Sequence, residues 1–185
     1  VICLAENRPG QDATLPGDIF TAKNGKTIQV ENTDAEGRLA LTDGLAEAGE
    51  LGATHIIDLA TLTGAIVRAI GPKMTGLFSN KDTFASTILK AGKANGEKFW
   101  HMPLEEEYRD ELDDKVADLR NIGDSAGAIT AGLFLQEFVP DGATWAHLDI
   151  AGTAFITKEW KYYSWGATGW GVRSLVSIAE SLTKK

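Results

Sequence analysis

The sequence predicts an α/β fold in which a central sheet is covered by helices on both faces. Two observations lead to this prediction. Strand-like and helix-like runs alternate along most of the chain. The runs "HIIDLA" (55–60) and "WAHLDIA" (145–151) are almost continuously apolar, which is typical of strands that are buried on both sides. A length of 185 residues is sufficient for one domain with a sizeable core.

Turn signals and apolar runs predict the individual elements. The opening run "VICLAEN" begins as a short buried strand, and Asn24-Gly25 is a hairpin-turn signal that predicts a strand on each side. Gly49 and Gly52 mark the end of the next helix, because glycine is common at helix C-termini. The predicted strands are Ile2–Ala5, Thr27–Val30, His55–Leu59, Phe99–Met102 and Trp145–Ile150. The predicted helices are Leu39–Ala48, Phe84–Ala94, Leu104–Leu112, Ile129–Phe138 and Val172–Leu182.

Composition narrows the possible functions. The net charge of -8 argues against a nucleic-acid partner, which would require a basic face. No stretch reaches the ~20 apolar residues of a membrane span, so no membrane partner is expected. The single cysteine, Cys3, cannot form an internal disulfide and fits a reducing, cytoplasmic setting. A chain rarely begins inside a core strand, so we expect this one to be the later part of a longer domain, with no second domain in residues 1–185.

The stretch "VENTDAEGRLALTDG" (30–44) is the first candidate site. It places Asp34, Glu36 and Arg38 at every second position. On an extended segment, residues two apart share a face, so the two carboxylates would point the same way. Such oxygen ligands suit Zn, Mn, Mg or Ca. A helix starting near Arg38 adds free N–H groups and a guanidinium, which together favour an anion beside the metals.

The motifs also allow two other interpretations, of which the first is a calcium-binding EF-hand loop. Asn32, Asp34, Glu36, Gly37 and Asp43 follow the spacing of an EF-hand loop, although the preceding segment is β-like where an EF-hand needs a helix.

The other reading is a serine hydrolase. "GDSAG" (123–127) matches a nucleophile elbow around Ser125, with His147 as the base and Asp141 as the acid. The segment before it is charged and irregular rather than strand-like. A flexible glycine-rich turn that opens a tightly packed helix explains the same pattern.

The octapeptide "NTDAEGRL" (32–39) resembles the signature of the cytosolic leucyl aminopeptidases, the M17 family of two-metal peptidases. Further matches extend the resemblance from Val1 to about Gly169. They are "AEN", "PGD", "ATLTGA", "MPL", "NIG", "AGAITAG" and "WAHLDIAGTA". The resemblance implies a three-layer αβα fold with a mixed central sheet, similar to that of the zinc peptidases, of which this chain is the C-terminal portion.

The resemblance also implies residue roles. Asp34 binds one metal, Glu36 bridges both, and Arg38, with a bound bicarbonate, helps to handle the proton of the attacking water. Two divalent ions, Zn or Mn, about 3.5–4 Å apart polarise the scissile carbonyl. The substrate's free amino group also binds a metal, which explains why only N-terminal residues are released from peptides.

A pocket for the first side chain of the substrate is implied as well. Thr61, Leu62 and Gly64 contact the substrate in the loop after a buried strand, where open α/β sheets bind ligands. Ala151 lines the same pocket and Ala154 is a weaker candidate, and their small size leaves room for a leucine-like group. The three histidines, His55, His101 and His147, match no zinc motif and are interpreted as structural.

The chain lacks part of the family's site. The remaining metal ligands, a lysine and two aspartates, and a second catalytic lysine precede the segment that matches Val1–Ala5. The missing half is therefore expected as a separate chain or an absent segment. The alternative is a non-catalytic oligomeric scaffold that keeps the fold. Family members form homo-hexamers, so the aromatic run "KEWKYYSWGATGW" (158–170) is interpreted as edge packing or a subunit contact.

Overall fold

The structure is a computed structural model that describes residues 1–6 and 8–183, so Asn7 of the "AEN" match lies outside the described residues. The chain divides into two compact units. The first contains residues 1–56 and 104–143, and the second contains residues 57–103 and the described residues from 144 onward. No described helix combines the length and apolar character that crossing a membrane requires.

The first unit contains a three-stranded sheet, two α-helices and a 3₁₀ helix. The strands are β1 (Ile19–Thr21), β2 (Thr27–Gln29) and β6 (Leu119–Arg120), in the order β1-β2-β6. The helices are α1 (Glu36–Glu50), the 3₁₀ helix Glu106–Leu112 and α4 (Gly127–Gln136). β1 and β2 form the antiparallel hairpin that Asn24-Gly25 predicts, with Gly25 at a φ of 88° that favours glycine.

The second unit contains a four-stranded sheet in the order β3-β7-β4-β5, together with a small hairpin and three helices. The sheet strands are β3 (His55–Ala60, its first two residues counted with the first unit), β4 (Thr75–Ser79), β5 (Phe99–His101) and β7 (Thr144–Asp149). β4 is parallel to β5 and antiparallel to β7, so the sheet is mixed. The hairpin pairs β8 (Phe155–Ile156) with β9 (Gly166–Ala167), and the helices are α2 (Gly64–Ile70), α3 (Asp82–Asn95) and α5 (Val172–Thr183).

Helices cover both faces of this sheet. Leu77 of β4 packs in one buried cluster with Ile88 of α3 and Ile178 of α5. A side chain at its neighbour, position 76, would lie on the opposite face, because side chains alternate along a strand. A Cβ atom at Gly76 would lie 2.6 Å from Cδ1 of Ile66 in α2. The mixed α/β architecture predicted from the sequence is therefore confirmed.

Two predicted elements are wrong. Residues 2–5 form no strand, and Ile2 and Leu4 are 84% and 89% exposed. A strand needs a neighbour for its backbone groups, and among the described residues none pairs with this segment. The predicted helix Leu104–Leu112 is a 3₁₀ helix, Glu106–Leu112, the type that commonly serves as a short connector.

The aromatic run near the end of the chain packs largely on itself. Trp160 stacks on Tyr163 and on Trp170, with ring centroids 6.0 and 5.7 Å apart. Burial is the main reason that the pKa of Tyr163 rises to about 12. Tyr162 and Trp165 stay exposed, so the run is partly core and partly surface.

Candidate metal and substrate site

The segment that carries Asp34 and Glu36 is a turn followed by a helix that begins at Glu36, whereas the sequence predicts an extended segment here and a helix that starts near Arg38. Asn32 forms the turn through two hydrogen bonds. Its Oδ1 accepts a hydrogen bond from the backbone N–H of Asp34 at 2.9 Å, and its carbonyl accepts one from Ala35 at 3.2 Å. This Asx turn ends the extended conformation, and α1 then begins at Glu36.

One buried side chain, Asn121, holds this turn in place. Its Oδ1 accepts from the backbone N–H groups of Glu31 (2.9 Å) and Asn32 (3.2 Å), and its Nδ2 donates to the carbonyl of Asn32 (2.7 Å). Its own backbone N–H donates to Gln29 at the end of β2, at 2.9 Å. The "NIG" match contains Asn121, but no spacing in the sequence indicates that it supports a turn so far away along the chain.

Arg38 lies on the inner side of α1 and is 5% exposed. Its Nη1 donates to the carbonyl of Asn121 at 2.8 Å, and its guanidinium lies over the ring of Phe134 in α4, 5.7 Å from the ring centroid. The Ncap residue of α1, Ala35, provides no side-chain cap. The first turn of α1 therefore keeps backbone N–H groups that can bind an anion.

The donor chemistry of the turn fits a divalent cation. Asp34 and Glu36 are exposed, and within residues 1–6 and 8–183 no hydrogen bond or ion pair engages either carboxylate. Carboxylate oxygens are ligands for Zn, Mn, Mg and Ca. Among the described residues, no group of three His, Cys, Asp or Glu side chains converges in a way that could hold a metal ion. The turn therefore offers part of a ligand set.

The EF-hand reading is contradicted by the position of α1. Glu36, Gly37 and Asp43 all lie inside this helix, where they cannot surround one cation as a loop does. The Oδ1 atom of Asp43 instead accepts a hydrogen bond from the backbone N–H of Lys23 at 2.8 Å.

Ser125 lies in the turn before α4 and is held by Glu111. The carboxylate of Glu111 accepts hydrogen bonds from the Ser125 hydroxyl and, at 2.7 Å, from its backbone N–H. These two bonds are the main reason that the pKa of Glu111 is lowered. His147, the histidine that the hydrolase reading would require, is fully buried and pairs through Nδ1 with Asp58 at 2.5 Å.

The other two histidines are exposed. His55 has its Nδ1 atom 3.1 Å from the Thr54 hydroxyl, and His101 ends β5. Neither belongs to a metal-binding group among the described residues.

The predicted substrate residues lie in the second unit, at the ends of β3 and β7. Thr61 and Gly64 are exposed, whereas Leu62 is half-buried. Thr63 caps α2, because its Oγ1 accepts from the backbone N–H of Ile66 at 3.0 Å. The backbone N–H of Ile150 donates to the carbonyl of Ala60 at 2.9 Å, so the two loops leave the sheet side by side.

Asp149, the last residue of β7, joins these two loops. Its carboxylate accepts from the backbone N–H of Leu62 (3.1 Å), the hydroxyl of Thr63 (2.7 Å) and the backbone N–H of Ala151 (3.2 Å). The structure thus brings together Leu62 and Ala151, two residues expected to contact substrate. The sequence contains Asp149 within "WAHLDIAGTA" but gives no sign of this role.

Comparison with known proteins identifies one family. The family model described as "Cytosol aminopeptidase family, catalytic domain" matches residues 1–176. A curated protein of Synechococcus sp., named probable cytosol aminopeptidase, is 56% identical over 175 residues, which are 94% of this chain and 36% of that protein. A protein of Nostoc punctiforme with the same name is 53% identical over 178 residues, covering 96% of this chain and 36% of that protein.

Solved structures agree with these matches. A mutant of tomato leucine aminopeptidase superposes with a TM-score of 0.89 at 48% identity, covering 94% of this chain and 34% of that one. The bottromycin maturation enzyme BotP, solved in complex with Mn, gives a TM-score of 0.94 at 39% identity, covering 98% of this chain and 41% of that one. The chain spans about a third (36%) of the length of the curated relatives it matches.

Proposed function

Because the chain belongs to the cytosol aminopeptidase family, we propose that it is the C-terminal part of the catalytic domain of a metalloaminopeptidase. This enzyme hydrolyses the first peptide bond of its substrates and releases N-terminal residues with apolar, leucine-like side chains. The observation that carries the proposal is the turn before α1. It presents the exposed carboxylates of Asp34 and Glu36 beside the buried Arg38, within the "NTDAEGRL" signature.

Asp34 and Glu36 are the residues of this chain that would hold divalent ions, Zn or Mn, as two of their ligands. The solved relative in complex with Mn supports the use of a divalent ion such as Mn. The ions supply the Lewis acidity that polarises the scissile carbonyl. Arg38, fixed by Asn121 and Phe134, provides positive charge near the helix start for bicarbonate.

Thr61, Leu62, Gly64 and Ala151 bind the substrate. The Leu62 N–H is engaged by Asp149, so its carbonyl is the group that can accept a hydrogen bond from the peptide. Ala151 lines the pocket for the first side chain with a single methyl group, which leaves space for a leucine-like residue.

The other ligands and the second catalytic lysine come from the part of the enzyme that precedes this region in the family. The complete enzyme acts on peptides in the cytoplasm as a homo-hexamer. The names of the curated relatives support the location, because they are called cytosol aminopeptidases.

The test replaces Glu36 with alanine in the complete enzyme, with Glu50→Ala as the matched control at the exposed, opposite end of α1. Glu36→Ala should abolish hydrolysis of leucine p-nitroanilide and lower the bound metal measured by elemental analysis, because it removes one of the two carboxylates that this chain would contribute to the metals. Glu50→Ala should keep both. Full activity in Glu36→Ala, or a wild-type enzyme without metal and without turnover, would refute the proposal and favour a non-catalytic scaffold.

A further inference from the structure

We propose that Asp149 is a positioning residue that sets the shape of the pocket for the substrate's first side chain. It acts by joining the loop after β3 to the loop after β7. This inference rests on the proposed function, because it assumes that Leu62 and Ala151 contact substrate. It assigns to Asp149 a role in substrate selection rather than in fold stability alone.

Asp149 is a buried carboxylate. The residue is 1% exposed, and none of the described lysines, arginines or histidines forms an ion pair with it. A buried carboxylate without a cation is costly, and hydrogen bonds are what keep it in place. Its three donors come from two different loops, so this side chain adds to the Ile150–Ala60 backbone bond a second link that sets how the loops lie against each other.

In all three bonds the carboxylate oxygens of Asp149 are the acceptors. An ionised carboxylate has acceptors only, so it can receive two backbone N–H groups and one hydroxyl at the same time. The Thr63 hydroxyl gives its hydrogen to Asp149, and its oxygen then accepts from Ile66 at the start of α2. Asp149 thereby determines both the course of residues 61–64 and the point at which α2 begins.

An asparagine at position 149 has nearly the same volume but a different set of bonds. Its oxygen can keep the N–H groups of Leu62 and Ala151, which both bond to Oδ1 of Asp149, but its NH2 group replaces the oxygen that accepts from the Thr63 hydroxyl. That hydroxyl then has no acceptor for its hydrogen, so the link to the loop after β3 weakens and this loop is expected to shift. A displacement of about 1 Å in a substrate-positioning group can change rates by about 10²-fold.

The test compares Asp149→Asn with Glu97→Gln in the complete enzyme. Glu97 is also 1% exposed, and its carboxylate accepts from the backbone N–H groups of Gly171 and Ser174 at 2.9 and 3.1 Å, away from the pocket loops. Both changes convert a buried, hydrogen-bonded carboxylate into an amide. Any difference between them in substrate selection therefore reports on the pocket and not on general stability.

For Asp149→Asn we expect KM for leucine p-nitroanilide to rise by about tenfold or more, with a smaller preference for leucine over alanine p-nitroanilide. Bound metal should stay at the wild-type level. Amide hydrogen exchange should become faster in peptides that cover residues 60–66 and 149–153. Glu97→Gln should lower the unfolding temperature and leave the preference and these exchange rates unchanged.

Thr63 supplies an independent variant pair. Thr63→Val removes the hydroxyl and should shift the preference in the same direction as Asp149→Asn. Thr63→Ser keeps the hydroxyl and should retain most of the wild-type preference for leucine.

If Asp149→Asn and Glu97→Gln lose stability alike while the leucine preference stays the same in both, the positioning role is overturned and the proposed function stands. If the complete wild-type enzyme releases no N-terminal residue from peptides, the proposed function is overturned and this role falls with it.

Discussion

At the scale of single residues, Asn121 supports a turn that it does not belong to. Its side-chain amide makes four hydrogen bonds, two accepted and two donated, which replace the neighbours that residues 31–35 would have in a sheet. The turn can therefore leave β2 and present Asp34 and Glu36 outward without burying unpaired backbone groups. Loss of this amide would leave those groups without partners, at a cost of about 1–3 kcal/mol each where they are buried.

We therefore expect Asn121→Ala to lower both the metal content and the turnover of the complete enzyme. The proposed ligands stay in the chain, but the turn that orients them is no longer fixed. Asn95→Ala is the control, because Asn95 also donates to a carbonyl (Ala91) and a hydroxyl (Ser177), between α3 and α5. Metal content measured by elemental analysis should fall only in the first variant; equal metal in both would show that the turn does not need Asn121.

Glu137 gives a prediction about pH. Burial acts to raise its pKa, but ion pairs with Lys26 and Arg109 outweigh burial and hold the pKa below its ordinary value of 4.5. A carboxyl whose pKa is lower in the folded state stabilises the fold above its unfolded pKa. That stabilisation is lost as the pH falls through the folded pKa.

Glu137→Gln should accordingly lower the unfolding temperature at pH 7, and the difference from wild type should shrink as the pH falls below about 4.5. Thermal unfolding between pH 7 and pH 3 measures this directly. The exposed Glu180→Gln serves as the reference variant. A difference that grows on acidification would mean that the ion pairs with Lys26 and Arg109 do not stabilise the fold.

At the scale of elements, the end of α3 depends on the absence of a side chain at Gly92. A Cβ atom there would lie 2.5 Å from Cδ2 of Phe99 and 2.7 Å from the carbonyl oxygen of Glu97. That backbone cannot shift freely, because the N–H of Glu97 donates to Gly92 at 2.9 Å in the helix cap. Gly96 completes the cap with a φ of 72°.

Gly92→Ala should therefore destabilise the protein, although alanine favours helices by about 1 kcal/mol over glycine. Overpacking of this kind costs about 1–3 kcal/mol, so the net effect is expected to be a loss of stability. Ser86→Ala, at an exposed position of the same helix, should change the free energy of unfolding by no more than about 0.5 kcal/mol. Denaturant unfolding of both variants decides the point, and a stabilised Gly92→Ala would contradict the packing described for α3.

Local signals explain which elements could be predicted. The Asn24-Gly25 turn fixes its hairpin through neighbouring residues alone, and long periodic runs such as α3 need no distant partner to be recognised. The sequence does not predict β4, because Gly76 weakens its strand pattern, and that glycine is needed to make room for Ile66. It does not predict α2, because this helix has only seven residues. Residues 2–5 have a strand pattern, but among the described residues they have no strand to pair with.

At the scale of the whole molecule, the sequence likewise reveals some residues of the candidate site but not the residues that support them. Asp34, Glu36 and Arg38 lie within five positions of one another, so a contiguous motif reveals them. Their support is not contiguous: Asn121 bonds to Glu31 from 90 positions away, and Asp149 bonds to Leu62 from 87 positions away. No local pattern encodes such pairs, because the fold alone brings them together.

The proposed division of the metal site between chain segments can be tested with this chain alone. The 185-residue chain holds part of a ligand set, and no third metal-binding side chain joins it among the described residues. The chain alone should therefore bind Mn or Zn weakly and release no leucine from leucine p-nitroanilide. With only two carboxylates available, water molecules compete successfully for the cations, so a site for two ions needs its full set of protein ligands.

Co-expression with the segment that precedes this region in the family should restore turnover and tight metal binding. In the same experiment, Glu36→Ala in this chain should prevent that restoration, whereas Glu50→Ala should permit it. Activity of the chain by itself, with two ions per molecule, would show instead that its own residues complete the site.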